Sequence, residues 1–463
     1  MIQVSPSVNV TEKDLTNIIP AVSSSVGASW VAGQWGPINK PIMISTEQQL
    51  VQIFGKPTNT NYLNWLTISD FLSYSGNCYV VRPDNTVSGV SSAKNATTGT
   101  QGILIRNATT AQVDMSSAVS ANGLFAAKYA GAMGNSLSIF VCDSAAQFTT
   151  WAYKAQFSGP PGTSSYVQAI TAGSSTTAPN ANDEMHIVVV DTGGLFTGIP
   201  GTVLETYAFL SKASNARSDM NVSNYYQTVI NNNSQYVYAI GIPPAALLVN
   251  GSATTPVPSI QDWGVAASGP TGPSTAPVYM TYDSLLVNYD VQFTNGTYNS
   301  ILATDSDIQN ALTVYQSADQ IDVSLLFLGA PNRTTVEWAI SNIAEYRRDL
   351  VTFITPTNLA GNFITDQDIS AADDTVTYKN GDGTVANPPL TVSSYTVYDS
   401  GYRQVYDRYN DTYRWIPSNG SIAGLCARTD RTDDPWFSPA GFNRGQLNNT
   451  IRLAYNPDQA DRD

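Results

Sequence analysis

The chain has 463 residues, a length that suits about three domains rather than one core. Lys and Arg number 22 against 36 Asp and Glu, so the net charge is −14 and the basic footprint of a nucleic-acid binder is excluded. Charged residues make up only 13% and apolar ones 42%, which supplies a sizeable core, argues against disorder and leaves a surface of mostly Ser, Thr, Asn and Gln.

No apolar run reaches the roughly 18–20 residues of a membrane span, so direct membrane insertion is not expected. The N-terminus has neither the basic start nor the apolar stretch of a signal peptide, which predicts synthesis and assembly in a cytoplasm. Cys78, Cys142 and Cys426 are odd in number and far apart, and indicate neither a disulfide framework nor a zinc site.

Ile2, Val4, Val8 and Val10 alternate with Gln3, Ser5, Ser7 and Asn9, which predicts a strand within an extended arm over 1–21. No turn signal folds a partner onto it, so its ladder must be completed by another sheet edge, in its own domain or on another molecule. Residues 22–84 are mixed α/β. Strands are predicted at Ala28–Ala32, Pro41–Ile44 and Cys78–Val81, a helix at 46–54 with a Thr46…Gln49 capping box and Gly55 as its stop, and a second helix over Tyr62–Tyr74.

Composition turns to Ser, Thr, Ala, Asn and Gly over 85–123, a linker or a small β insertion with a weak strand at Gly102–Ile105. A β-rich domain fits 124–304, with strands at Leu137–Cys142, Met185–Val190 and Tyr236–Ile240 and a long Pro/Gly-rich loop over 252–277. Residues 305–463 return to α/β. Ile321–Leu328 and Leu350–Ile354 flank a helix over Thr334–Arg347 with a Thr334…Glu337 capping box, a right-handed β-α-β unit. Residues 365–389 read as an acidic loop, 395–417 as aromatic and strand-like with a hairpin over 402–415 turning at Asn410-Asp411, and 445–455 as the start of a helix. The fold class is therefore α+β multidomain: a mixed α/β core from both chain ends, an inserted β-rich domain and an N-terminal arm.

Constellations for chemistry are weak. His186 is the only histidine and lies inside an apolar strand, which points to a structural role. The acidic pairs Asp305/Asp307, Asp366/Asp368 and Asp373/Asp374 have no calcium-loop spacing, and the Gly194–Gly201 run lacks the Lys-Ser/Thr of a phosphate loop. Arg403, Arg408 and Arg414 interleave with aromatics as on a single-strand binder, but Asp399, Asp407 and Asp411 neutralise them. No catalytic residue, cofactor or metal is assigned, and the chain is not read as an enzyme.

Several segments resemble the contractile-tail sheath proteins of T-even-like bacteriophages. The start Ser5-Pro-Ser-Val-Asn-Val, Trp35-Gly36-Pro37-Ile-Asn, Phe54-Gly55-Lys-Pro, Cys78-Tyr-Val-Val-Arg-Pro83 and Ala127-Lys-Tyr-Ala-Gly-Ala-Met-Gly-Asn135 are similar to that family's N-terminal motifs. More specific are Tyr406-Asp-Arg-Tyr409-Asn410-Asp, Trp415-Ile-Pro, Ala423-Gly-Leu-Cys-Ala-Arg428-Thr-Asp430 and Trp436-Phe-Ser-Pro439-Ala-Gly441-Phe-Asn-Arg444-Gly445. The resemblance implies a structural subunit that forms stacked six-subunit rings around a tail tube and contracts during genome delivery. Its implied partners are other copies of itself, the tail tube protein, the baseplate and the tail terminator, with no nucleic acid, in the virion. It also implies a reduced outer insertion between Arg82 and Leu124 and a C-terminal domain following Asp463 in a longer chain. The Thr/Asn/Ser-rich β segments leave a second reading open, a non-contractile or host-recognition, adhesin-like protein; a carboxylate hydrolase is a weaker third.

Overall fold

A computed structural model describes residues 26–86, 93–116, 122–172, 182–243, 245–249, 263, 282–298, 303–364, 369–399, 401–434, 436–455 and 459. The predicted strand carrying Ile2, Val4, Val8 and Val10 lies outside them. The chain is mixed α/β with several sheets.

The strands in chain order are β1 (Gly27–Trp30), β2 (Ile42–Ile44), β3 (Cys78–Val81), β4 (Phe125–Ala127), β5 (Leu137–Cys142), β6 (Glu184–Asp191), β7 (Thr202–Ser211), β8 (Val237–Ala239), β9 (Tyr289–Gln292), β10 (Leu325–Phe327), β11 (Val351–Ile354), β12 (Thr396–Tyr398), β13 (Tyr402–Asp407), β14 (Thr412–Pro417) and β15 (Arg452–Leu453). Helices α1 (Glu47–Phe54) and α2 (Tyr62–Leu72) lie between β2 and β3.

A six-stranded sheet runs β12-β11-β10-β1-β3-β2, with only the β2–β3 pair antiparallel. Its central neighbours come from distant sequence: Gly27 is in register with both Cys78 and Leu325. Period-two alternation then sorts β10, with Leu326 entering one core and Leu325 and Phe327 the other. The first core packs against the Asp305–Leu312 helix and a helix over 333–347 with a π turn at Ile340–Ala344. The second packs against α1, α2 and the Asn419–Thr432 helix. A sheet covered on both faces explains why these strands read as continuous apolar runs.

The second large sheet is antiparallel, β7-β6-β5-β9, and its inner face packs with the Tyr226–Asn233 helix and the β4–β8 ladder. Residues 94–97 bridge to Thr297, Ile103, Ala126 and Thr294, so the described part of the Ser/Thr-rich stretch is knitted to this β-rich part.

Four expectations are corrected. The acidic loop contains a helix, Ile369–Asn380, held by buried Ala371 and Tyr378 on one side. Residues 445–455 do not begin a helix; they pass through a turn at 448–449 into β15, which adds to β13. The second capping box is absent: Asn332 is the N-cap, without a side-chain bond, and Glu337 instead accepts from Thr391 Oγ1 and N. At α1 the Thr46 oxygen accepts from Gln49 N at 3.2 Å, but the Gln49 side chain returns to Ser45 N rather than Thr46 N.

Candidate interaction surface

The N-terminal motifs converge on one seam. Arg82, fully buried, donates from Nη1 to Gly36 O and from Nη2 to Ala130 O, both at 2.8 Å, and lies 3.9 Å over the Tyr298 ring. A desolvated guanidinium joins chain segments well because its fork satisfies two carbonyls at once. Trp35 is wedged edge-on between Tyr129 (5.3 Å) and Phe196 (5.0 Å), so the six-stranded and four-stranded sheets share its ring. Gly36 has φ +99, and a Cβ there would sit 2.6 Å from Ile53 O, so only glycine fits. Pro37 follows in the same seam. Phe54 is fully buried, and Gly55 closes α1 by donating to Val51 O while its own oxygen accepts from Trp65 Nε1 at 2.9 Å.

The C-terminal motifs form a second cluster, built on a separate three-stranded sheet, β14-β13-β15, and the helix and loop that follow it. The β13–β14 hairpin turns at 408–411, with Asp411 in the left-handed region at φ 49, as its Asn-Asp pair predicts. Asp407 is buried beneath the turn and accepts from Tyr409 N, Asn410 Nδ2 and Arg414 Nε. Burial alone would raise its carboxyl, but hydrogen bonds from Asn410, Arg414 and Tyr409 hold it below the usual range. The turn is then pinned to α1 and α2. The Tyr409 hydroxyl donates to Glu47 at 2.7 Å with its ring edge-on to Trp65 at 5.2 Å, and Asn410 Nδ2 donates to Pro57 O at 3.1 Å. Trp415 is half-buried beneath the Arg452 guanidinium, 5.0 Å away.

Ala423–Asp430 lies on the Asn419–Thr432 helix, with Asp430 half-buried. Arg428 donates to Arg444 O and covers the Tyr74 ring at 5.3 Å. Gly445 N donates to Gly441 O at 2.8 Å, closing a turn over 441–445 that follows half-buried Pro439. So Tyr406, Tyr409, Asn410 and Trp415 share one hairpin, Arg428 and Arg444 join the helix to the following loop, and the Trp35 seam stands apart.

The sequence shows Arg82 only as part of the Cys78–Pro83 motif and Arg403 only among arginines interleaved with aromatics, and gives the buried partners of neither. Arg403, on β13, is fully buried, pairs with Asp70 of α2 and donates to Thr450 Oγ1 (2.6 Å) and Asn448 O (2.7 Å); burial lowers it to about 10. Ser421 donates to the same Asp70 carboxylate. Only buried position marks such residues, and no local spacing does.

Outward from this framework stands an apolar surface. Tyr406 and Tyr413 are exposed cross-strand neighbours 5.5 Å apart, and Trp436 and Phe442 are 78% and 93% exposed. Ile451 and Leu453 are also exposed, on β15 and its approach. An apolar face beside open sheet edges is built for contact with another protein surface.

Among the described residues, the remaining polar groups called out by the sequence serve structural contacts. His186 stacks on Phe157 at 4.2 Å, contacts Gly159 O at 2.9 Å through Nε2 and accepts from Phe209 N through Nδ1 at 3.1 Å. Burial lowers its pKa, so it fastens the bulge at Ala208-Phe209 on the facing strand as a neutral ring. Asp307 caps its helix with Thr304, Asp305 accepts from Thr335 Oγ1, and Asp373 and Asp374 lie on the Ile369–Asn380 helix. Asp366 and Asp368 lie outside the described residues. The Gly194–Gly201 loop is gathered by Asp191, which accepts from Leu195, Phe196 and Thr197 N–H groups. Among the described residues, no group of three or more His, Cys, Asp and Glu is placed to hold a metal ion, and no helix is long and apolar enough to cross a membrane.

No protein-family model matches the chain. It is 27% identical to the tail sheath protein of Salmonella phage ViI, over 99% of this chain and 75% of that relative. It is 33% identical to the tail sheath protein of Enterobacteria phage T4 over 36% of this chain and 26% of that relative, and 41% identical to that of Vibrio phage KVP40 over 28% and 20%. Among solved structures, the sheath tail protein of Desulfitobacterium hafniense matches at TM-score 0.44 and 8% identity, covering 99% of this chain and 69% of that one. The sheath tail protein of Listeria innocua matches at TM-score 0.39 and 11% identity, covering 88% and 56%. By sequence, the chain is similar to the tail sheath proteins of bacteriophages, over nearly its whole length to one relative and at higher identity over shorter stretches to two.

Proposed function

We propose that this chain is a structural subunit of a bacteriophage contractile tail sheath. It polymerises as stacked hexameric rings around the tail tube and contracts to drive the tube through the host envelope. The observation that carries this reading is the match to the phage ViI tail sheath protein over 99% of the chain. The work is structural, without a catalytic step, and the protein resides in the virion tail after assembly in the host cytoplasm. Its partners are other copies of itself and the tail tube protein, with the baseplate and the tail terminator at the ends of the stack.

In this reading the core is formed by 22–84 and 305–463, the two stretches that share the six-stranded sheet. Residues 124–304 are an inserted β-rich body, with 85–123 as a reduced outer insertion beside it. Contraction requires rigid bodies to slide while subunits stay joined, and an extended strand on a neighbour's sheet edge meets that demand because its backbone bonds survive rotation of the rest. The alternating Ile2, Val4, Val8 and Val10 make 1–21 that arm, and the exposed edges of the β14-β13-β15 sheet are suited to receive it. Four or five such bonds contribute only a few kcal/mol at about 1 kcal/mol each, enough when a helical lattice repeats the link. The low charge suits surfaces that must exchange partners, since mispaired polar groups cost less than desolvated ions.

The arm is tested by Val4→Glu together with Val8→Glu. Loss of polymerisation with the subunit still folded is the expected result; polymers formed at the unmodified concentration contradict the arm's role.

A further inference from the structure

Asp143 and Lys212 are each the residue that follows a strand. Asp143 ends β5 and Lys212 ends β7, at the same end of the antiparallel sheet, with the start of β6 running between them. Lys212 Nζ lies 2.8 Å from Asp143 Oδ2, and both side chains are wholly out of water. The other ammonium hydrogens are taken by two carbonyl oxygens, Asp283 at 2.8 Å and Asn182 at 3.0 Å, with the Trp263 ring 5.3 Å away. On the carboxylate the two oxygens are unequal. Oδ2 also accepts from Leu285 N at 2.9 Å, whereas Oδ1 is buried with no hydrogen-bond partner among the described residues.

As a plain ion pair this is a poor arrangement. Two charges are desolvated and one carboxylate oxygen is unsatisfied, a combination whose Coulomb attraction does not reliably offset its desolvation. As a set of reacting groups it is well made, and we propose that Lys212 and Asp143 condense to an intramolecular isopeptide bond.

In the proposed reaction a proton passes from Nζ to Oδ2 along their hydrogen bond. Asp283 O and Asn182 O hold the remaining N–H groups, which turns the freed lone pair toward Asp143. A 2.8 Å contact to Oδ2 leaves Nζ about 3.5 Å from Cγ, the range of a near-attack arrangement. The Nζ–Cγ bond forms, a second proton follows from the nitrogen to Oδ2, and the Cγ–Oδ2 bond breaks, so that Oδ2, bonded to Leu285 N–H, leaves as water carrying two hydrogens that both came from Nζ. Oδ1 remains as the amide oxygen. One positive and one negative charge become a neutral amide and one water, with no other reactant. The product ties β5 to β7 covalently across the sheet end, closing the intervening chain into a loop.

The test is the mass of the full chain, purified folded, held at neutral pH until the mass is constant and measured under denaturing conditions. A deficit of about 18 Da, one water, is expected, together with a branched tryptic peptide joining the segments that contain Asp143 and Lys212. Lys212→Arg keeps the charge but cannot form this bond, and should restore the full mass. The unmodified chain decides the question whether or not that variant folds. A full mass with a linear peptide ending at Lys212 overturns the proposal, as does a water loss located elsewhere, such as a succinimide.

Discussion

Arg403 and Asp70 form a buried ion pair across 333 positions of sequence, joining the β13–β14 hairpin to helix α2. The pair fixes the C-terminal motifs against the core, and its energetics are asymmetric. Arg403→Met alone strands the Asp70 carboxylate, with Ser421 as its remaining hydrogen-bond donor among those seen here, and should destabilise by about 3–5 kcal/mol. Arg403→Met with Asp70→Leu removes both charges and should recover most of that loss, as read by urea unfolding. Equal losses in the single and double variants would show that the pair does not act as a unit.

The Asn419–Thr432 helix lies against α2 through its glycines. A Cβ at Gly424 would sit 2.5 Å from Tyr74 Cδ2, and one at Gly420 would fall inside the Thr67 carbonyl oxygen, which cannot move without moving α2. Helix propensity gains less than about 0.5 kcal/mol from Gly420→Val, while overpacking costs about 1–3 kcal/mol. Packing therefore wins, and Gly420→Val should lower the urea midpoint. An unchanged or raised midpoint would mean the two helices can separate freely.

The pH dependence contains two carboxyls of opposite sign. Burial pushes Asp399 up from 3.8 to about 7, against the hydrogen bonds it accepts from Thr355 Oγ1 and Gly401 N. The folded chain thus keeps a proton that the unfolded chain releases, so stability from this residue falls as pH rises from about 4 to 7. Asp407 is held below its ordinary range, so its contribution is present above about pH 4 and is lost as pH falls further. Asp399→Asn should flatten the melting temperature between pH 4 and 7. A slope unchanged in that variant would contradict the assignment.

Trp436 and Phe442 stand out from the framework without burying their rings. Trp436→Ser with Phe442→Ser should leave the melting temperature of the isolated subunit within a degree or two, because exposed substitutions change stability little. The same pair should raise the concentration needed for polymerisation several-fold, as measured by sedimentation. Assembly at the unmodified concentration would remove this face from the interface.

Much of the six-stranded sheet is legible in the sequence, because β1, β3, β10 and β11 are apolar runs bounded by turn residues and α1 carries its Thr46 cap. The Asn410-Asp411 turn announces the hairpin in the same local way. The Ile369–Asn380 helix is hidden because only Ala371 and Tyr378 of its described side chains are buried, too few for a visible stripe. The Asn419–Thr432 helix is hidden for the opposite reason: Gly420 and Gly424 read as helix breakers, yet their missing side chains are what lets α2 approach. Arg82, Arg403 and Lys212 act across long separations and leave no periodic trace. The surface motifs around Tyr406 and Arg444 are legible as motifs, while the pairing of β15 with β13 is not.

The most direct test of the sheath assignment is negative-stain electron microscopy of the purified chain at tens of micromolar. Striated tubes are the predicted result, with residues 1–463 containing enough interface to polymerise. Monodisperse particles at every concentration, with the chain folded, would contradict the account.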